Sequence, residues 1–316
     1  MDWPPALDDL RMAAAIIAPH IHRTPVLTSA TLNAMAGAEL HFKCENFQRG
    51  GSFKLRGASH AVLSLDDRAV ANGVATHSSG NHGAALALAA GLRQAPAYVV
   101  MPRTVPAVKQ AAVRRYGAEI TLCEPTLESR EASLAEVLEK TGATAVHPSN
   151  DAAIIAGQAT VGLELLEEVR RLEIILVPVG GGGLASGVAL AVSQLSPATR
   201  VVGVEPANAD DAQRSLAAGR IIPSDNPQTV ADGLCTSLGN LTFEILGSLE
   251  VEIVTVGEEA IISAMRKVWE RLKIVIEPSA ATAVAAVLEG AVDVKGKRVG
   301  IILSGGNVDL DALPWI

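Results

Sequence analysis

From about Val74 to Leu303 the chain alternates short β-branched runs with longer runs rich in Ala and Leu, and several strand-to-helix junctions are rich in glycine and serine. Val74-Ala75-Thr76 leads through Ser78-Ser79-Gly80-Asn81-His82-Gly83 into a helical stretch. Ala97-Tyr98-Val99-Val100-Met101 precedes a helix opened by Pro106, a residue suited to a first helical turn. Glu119-Ile120-Thr121-Leu122 precedes a helix over Ser129 to Lys140, and the block closes near Val146-His147-Pro148. A second series follows. A helix is expected from about Ile154 to Arg171, then strands over Ile174 to Val179, Arg200 to Val204, Val251 to Val256 and Val299 to Leu303, with helices after Gly183 and over Glu258 to Leu272. Strands of ~4–6 residues alternating with helices of ~10–14 are the pattern of βαβ units. Such units bury their strands under helices in open, mostly parallel, twisted sheets. The fold class predicted is α/β, with two such sheets and a cleft between them. Upstream, Leu7 to Ile21 reads as a helix, with Leu10, Ala13, Ala14 and Ile17 on one face.

The composition agrees. Hydrophobic residues are 49% of the 316 but aromatics only 3%, so the core is built from Ala, Val, Leu and Ile. Acids outnumber bases 34 to 26, for a net charge of −8. That balance argues against a nucleic-acid or membrane-surface partner, since both need a basic face. The most apolar runs, such as Gly83 to Leu92, are far shorter than the ~20 residues of a membrane span. Three cysteines, Cys44, Cys123 and Cys235, form neither a disulfide framework nor a zinc pattern and suit a reducing compartment. The N-terminal Met1-Asp2-Trp3-Pro4-Pro5 has no basic start or apolar core, so a cytoplasmic protein is expected.

In open parallel sheets, ligands bind beyond the carboxyl ends of the strands. Four polar stretches are candidates for such a site. Gly180-Gly181-Gly182-Gly183-Leu184 lies between a strand and a helix, where bare backbone N–H groups and the helix N-terminus make an anion site, most simply for phosphate. It is not a P-loop, because no Gly-Lys-Ser/Thr follows, and a tight turn is the bland alternative. Gly50-Gly51-Ser52-Phe53-Lys54-Leu55-Arg56-Gly57 sets a lysine beside a close backbone approach; a buried lysine of lowered pKa suits Schiff-base chemistry, and a surface lysine is the alternative. Ser78 to Gly83 offers hydroxyls, an amide and an imidazole at a helix start that could hold a carboxylate, or merely a capped helix. Ser304-Gly305-Gly306-Asn307 follows the last strand, where a hydroxyl could meet a ring nitrogen.

Together, in this order and spacing, these stretches resemble the fold-type II pyridoxal-phosphate enzymes (tryptophan synthase beta-like), in the serine/threonine dehydratase and serine racemase group that includes threo-3-hydroxyaspartate dehydratases. The resemblance runs from His22-Arg23-Thr24-Pro25 to Ser304-Gly305-Gly306-Asn307 and includes Phe42-Lys43-Cys44-Glu45-Asn46, Ala156-Gly157-Gln158 and Glu277-Pro278-Ser279. It implies a large cofactor domain of residues 1–72 and 148–316, a small substrate-side domain of residues 73–147, a homodimer, and no C-terminal regulatory domain.

The resemblance also implies roles. Lys54 would carry pyridoxal 5'-phosphate and act as the Cα base, with Phe53 against the ring, Asn81 at its hydroxyl, Ser304 at its nitrogen, Glu277 nearby, and Gly180 to Gly183 with Leu184 on the phosphate. Ser78, Ser79, Asn81, His82 and Thr236 would face the substrate, and Ser79 resembles the second proton carrier of racemases. Arg130 resembles an arginine near the substrate's distal end, where its planar fork suits a β-carboxylate; a helix-surface arginine is the alternative. Glu205, Asp211 and the carbonyl of Ala209 resemble a divalent-cation site for Mg²⁺, or Ca²⁺ or Mn²⁺, although acids at Asp210 and Asp211 also open helices. Arg49-Gly50 departs from the lysine motif, where threonine is common at the position of Gly50, so nucleotide activation does not carry over.

The activity implied is a dehydratase (ammonia-lyase) acting on L-threonine, L-serine or 3-hydroxyaspartate. A serine or aspartate racemase with side dehydratase activity is the alternative, and a non-catalytic protein binding pyridoxal phosphate or another small molecule stands outside the enzyme class. A nucleotide-dependent dehydrogenase is disfavoured, because the glycines lie late in the chain and lack its fingerprint.

Overall fold

The structure is a computed structural model and describes residues 4–78 and 80–315. Two sheets carry it. The larger has strands β1 (Val26–Leu27), β2 (Glu39–Cys44), β7 (Ile174–Pro178), β8 (Arg200–Pro206), β9 (Glu252–Val256) and β10 (Arg298–Leu303). Their spatial order is β1-β2-β10-β7-β8-β9. All are parallel except β1, which pairs antiparallel with β2. The smaller sheet has β3 (Val74–His77), β4 (Ala97–Pro102), β5 (Glu119–Cys123) and β6 (Thr144–Ala145), all parallel in the order β5-β4-β3-β6. The α/β class with two mostly parallel, helix-flanked sheets is the one the alternation predicts. No helix among the described residues is long and apolar enough to cross a membrane.

Strands expected from the sequence differ from those found by a residue or two at their ends. Helix ends differ by up to four residues, for identifiable reasons. The first helix is Leu7–Ile17 rather than reaching Ile21, because Pro19 cannot continue it. The helix expected from Ile154 begins at Ala152, since the Asp151 carboxylate accepts the N–H groups of Ala153 and Ile154 at 2.8 and 3.1 Å. It ends at Glu168, and Arg171 beyond it takes the left-handed φ of 61°. The helix expected over Ser129–Lys140 is Leu127–Thr141, capped by Thr126 and closed by left-handed Gly142. Strand β2 is absent from the sequence reading. It is a buried parallel strand whose Lys43 breaks the apolar run.

Helix Lys54–Leu63 lies where the two sheets meet. It packs against helix Ala152–Glu168 with almost no separation: a Cβ on Gly157 would stand 2.6 Å from Gly57 Cα and 2.7 Å from the Arg56 carbonyl oxygen. Helix Gly183–Leu195 meets Ala152–Glu168 in the same way, a Cβ on Gly187 falling 2.6 Å from the Ala159 nitrogen. Small residues therefore let three helices stack closely behind the glycine loop.

A buried charge cluster ties the same seam. Arg56 and Glu45 are both fully buried. The guanidinium donates from Nε and Nη2 to Glu45 at 2.7 and 2.8 Å, and from Nη1 and Nη2 to Glu164 at 2.7 and 2.9 Å. Lys43 Nζ reaches Glu164 at 2.6 Å and the Thr24 carbonyl at 2.7 Å. Two cations thus meet two carboxylates with their hydrogen-bonding capacity largely filled, which is the condition for burying charge. Replacing Arg56 by Met leaves Glu45 dry and uncompensated. Arg56→Met is expected to cost about 3–5 kcal/mol, read as a lower urea midpoint at unchanged slope; an unchanged midpoint would show that the cluster does not hold the seam.

Candidate active site

Strand order explains why motifs far apart in the chain meet. Strands β2, β10 and β7 are neighbours, and each points its carboxyl end into the cleft. The chain after β2 delivers Phe53 and Lys54, that after β10 delivers Ser304, and that after β7 delivers the glycine loop. From the other sheet, β3 delivers Ser78, Asn81 and His82. One cavity is lined by Phe53, Lys54, Ser78, Asn81, His82 and Arg130, by Gly180 to Gly183 with Leu184, and by Thr236, Glu277 and Ser304. Every expected cofactor and substrate residue among those described lines it. Ser79 lies outside the described residues.

Lys54 opens its helix and points inward, its Nζ donating to the Pro148 carbonyl at 2.8 Å and lying 5.1 Å from the Phe53 ring centre. Burial lowers its pKa from 10.5 to about 8, and the Glu277 carboxylate pulls the other way. Glu277 is buried as well, and burial raises its carboxyl to about 7 against hydrogen bonds that favour the anion. Asn81 donates to both of its oxygens, at 2.9 and 3.1 Å, while Asn307 donates to Asn81 Oδ1 at 2.9 Å and to the Gly50 carbonyl at 2.7 Å. This relay fixes the Asn81 amide with its oxygen toward Asn307. Gly305 stands so close that a Cβ there would fall 2.5 Å from Glu277 Oε1.

The glycine loop is a cradle that side chains would fill. A Cβ on Gly181 would lie 2.3 Å from Ser149 Oγ, and one on Gly183 3.0 Å from Ser149 Cα. Gly180 faces Leu234 at 3.0 Å, and Gly182, at φ 78°, caps helix Gly183–Leu195. Bare amides at a helix start, with no side chain to block approach, fit a phosphate group. A lysine of lowered pKa beside that cradle fits an aldehyde cofactor.

Three imidazoles surround the lysine. His82 is held neutral by burial and by Lys54; its Nε2 faces the Val146 carbonyl at 3.3 Å, and its Nδ1 is buried with no partner among the described residues. His147 is lowered to about 4 by burial, His77 and Lys54, and its Nδ1 accepts the N–H groups of Ser149 and Asn150 at 3.2 and 2.8 Å. His77 stands edge-on to it, with ring centres 6.0 Å apart, and is lowered by burial and by Arg130. Arg130 makes no side-chain hydrogen bond or ion pair among the described residues, and its Nε is buried.

The expected metal residues lie outside the cavity. Glu205 is fully buried, its oxygens accepting the N–H groups of Ala212 and Gln213 at 3.0 and 2.9 Å, and burial raises its carboxyl to about 8. Asp211 starts helix Asp211–Ala218, accepts the Leu238 N–H at 3.2 Å, and is raised by burial to about 6. Its Oδ1 is buried without a partner among the described residues. Neither carboxylate forms an ion pair among the described residues, and a buried orphan oxygen beside a second acid fits a hard cation. No group of three or more His, Cys, Asp or Glu gathers among the described residues; the expected set has only two acids, completed by the Ala209 carbonyl.

Lys109, Asp232 and His77 line the cavity too and were missed from the sequence. Lys109 carried one usable signal: it lies in the first turn of helix Ala107–Arg115, where a cation opposes the helix dipole. His77 ends a strand and carried none.

The family described as Pyridoxal-phosphate dependent enzyme matches residues 17–305. Over 311 residues the chain is 52% identical to the beta-hydroxyaspartate dehydratase of Paracoccus denitrificans (strain Pd 1222), covering 98% of this chain and 99% of that protein. Among solved structures it is similar to maize serine racemase, with TM-score 0.95 and 47% identity over 98% of this chain and 95% of that one. It is also similar to the T.th. threonine deaminase, with TM-score 0.92 and 45% identity over 97% of this chain and 99% of that one.

The lysine environment gives a pH prediction. At pH 7, a pKa of about 8 leaves a neutral-amine fraction roughly 300-fold larger than 10.5 would. Trapping of pyridoxal phosphate on Lys54 by borohydride, followed by peptide mass, is expected to rise with pH up to about 8 and then level off. A rise continuing toward pH 10 would show an ordinary lysine.

Proposed function

The chain belongs to the pyridoxal-phosphate-dependent enzyme family, and on that premise we propose that it is a dehydratase (ammonia-lyase) that converts 3-hydroxy amino acids to a 2-oxo acid and ammonia. The observation that carries this reading is Lys54 Nζ, buried with a lowered pKa in the same cavity as the glycine cradle. Bound pyridoxal phosphate supplies an electron sink at Cα, which acidifies the Cα–H bond and lets a β-substituent leave.

This chain's residues do the rest. Gly180 to Gly183 and Leu184 would hold the phosphate through backbone N–H groups, and Ser304 and Asn81 would face the ring nitrogen and hydroxyl. Neutral Lys54 Nζ takes the Cα proton. The β-hydroxyl leaves as water by taking up that proton from the Lys54 ammonium, and the released unsaturated amine is hydrolysed by a further water to the 2-oxo acid and ammonia. The three imidazoles lose charge through burial, so they add no cations beside the base.

The reading extends to the substrate. Arg130, unpaired among the described residues, faces the cavity and would take a β-carboxylate bidentately; 3-hydroxyaspartate is therefore proposed ahead of serine and threonine. Residues 73–147, with the small sheet, would be the substrate-side domain, and residues 1–72 and 148–316 the cofactor domain. A cytoplasmic homodimer is part of the proposal, supported by the family resemblance.

Similarity to serine racemases favours a second reading, in which Ser79 returns a proton to the face opposite Lys54. One assay separates the two: 2-oxo acid release and chiral analysis of residual L-serine, alongside the 3-hydroxyaspartate isomers and L-threonine. Oxo-acid release with 3-hydroxyaspartate preferred is expected, and D-serine accumulating faster than pyruvate would move the assignment to a racemase. Lys54→Ala is expected to lower turnover about 10³-fold or more; retained activity would remove Lys54 from the chemistry.

Glu205, Asp211 and the Ala209 carbonyl are proposed to hold Mg²⁺, Ca²⁺ or Mn²⁺ and so brace the Thr236–Leu238 loop, to which Asp211 is hydrogen-bonded through Leu238. After chelation, adding Mg²⁺ at saturating concentration is expected to raise the melting temperature by about 2–5 °C. Asp211→Asn should abolish that response, and a variant that still responds would place the ion elsewhere.

A further inference from the structure

Two cations enter the cavity from the small sheet, and they are held differently. Arg130, on helix Leu127–Thr141, has no side-chain partner among the described residues. Lys109, in the first turn of helix Ala107–Arg115, crosses the cleft to Asp232 and forms an ion pair with its carboxylate. All three line the cavity. Both cations line the cavity together with the strip from Asp232 to Thr236, and the Arg130 charge acts on Cys235, three residues beyond Asp232. The other acid there, Glu277, is engaged by Asn81 and does not pair with Lys109.

The pair is built to be exchanged. The Asp232 side chain is 58% exposed and that of Lys109 25% exposed. Water screens such a pair, so parting it costs little, and the released Asp232 returns to solvent. The Lys109 ammonium sits near the positive end of its own helix, so it gains from any anion brought to it. An incoming carboxylate would meet Lys109 and Arg130 together, whereas Asp232 meets Lys109 alone.

We propose that Lys109 is a specificity-determining residue for dicarboxylic substrates: Asp232 holds its ammonium at the cavity wall, and the distal carboxylate of the substrate takes it over beside Arg130. A substrate without that carboxylate leaves the Lys109–Asp232 pair intact, so the cavity is never left with a stray ammonium. This deepens the dehydratase reading and rests on it for the identity of the substrate.

The test uses the holoenzyme and variants Lys109→Met, Lys109→Arg, Asp232→Asn and the Lys109→Met/Asp232→Asn double. The readout is the ratio of kcat/KM for 3-hydroxyaspartate to that for L-serine. Lys109→Met should lower the ratio about 10-fold or more, chiefly through KM, and Lys109→Arg should restore it to within about 3-fold. Asp232→Asn frees the ammonium and should raise the ratio about 3–10-fold. In the Lys109→Met background the Asp232→Asn change should have no effect, because its action runs through Lys109. A ratio unmoved by Lys109→Met, or an Asp232→Asn effect that survives in the double variant, would overturn the proposal.

Succinate binding by calorimetry keeps the inference separate from turnover. Lys109→Met should weaken it, and Asp232→Asn should tighten it. If succinate affinity follows that pattern but no 2-oxo acid is released, the dehydratase reading fails and the dicarboxylate subsite stands. If succinate affinity ignores both substitutions, the subsite fails whatever the enzyme turns over.

Discussion

Arg56 is the residue on which the rest of the arrangement hangs. It lies two positions after Lys54 on the same helix, and its five donors are shared between Glu45, Glu164 and the hydroxyls of Thr24 and Thr160. Those partners come from the turn after β2, from helix Ala152–Glu168 and from the segment before β1. One guanidinium therefore locks the start of the lysine helix to three separate segments around the larger sheet. Buried ion pairs rarely add much stability over an apolar core, but breaking one is costly, and that asymmetry favours a single arrangement. The Gly57–Gly157 contact adds a steric limit, since neither helix can slide without a backbone clash. Lys54 is thus held by charge geometry on one side and by close packing on the other.

The same logic divides the cavity. The large sheet and its loops supply parts with little freedom: a cradle of glycines without side chains and a hydroxyl at the end of a buried strand, and through Asn307 and Glu277 they fix the Asn81 amide that enters from the small sheet. These are groups suited to a cofactor that stays in place. The small sheet supplies Ser78, His82, Lys109 and Arg130, none of them tied into the charge cluster around Arg56. Lys109 and Arg130 thus stand on helices that the cluster leaves free, while Lys54 stands on the helix that it fixes.

The fold was legible because its signal is repeated. Each βα unit writes a β-branched run, a small-residue junction and an Ala-rich helix, and an error of up to four residues at one helix end does not alter the count. The glycine loop and Lys54 were legible because their local chemistry is unusual in itself. Strand β2 was not, because one face of a buried parallel strand carries His41 and Lys43, and the partner that compensates the Lys43 charge, Glu164, lies 121 residues away. The Arg56 cluster was hidden for the same reason: no local pattern announces that Glu45 and Glu164 will share one guanidinium. Asp232 lies only four positions before Thr236, but its pairing depends on a lysine 123 positions earlier. What the sequence hides is mostly long-range pairing of charge.

That hidden pairing bears on how one scaffold can serve related reactions. Sheet order brings Lys54, the glycine loop and Ser304 together whatever the substrate, because all three follow neighbouring strands of a single sheet. The groups on the small sheet are not constrained by that register. A side chain in the first turn of helix Ala107–Arg115, or on helix Leu127–Thr141, can change charge or length without disturbing the strands behind Lys54, the glycine loop and Ser304. Specificity for the distal end of a substrate can therefore drift while the Cα chemistry stays fixed. A weak, exposed ion pair across the cleft suits such drift, since it changes which anion a lysine prefers without adding a buried charge that the fold would have to compensate.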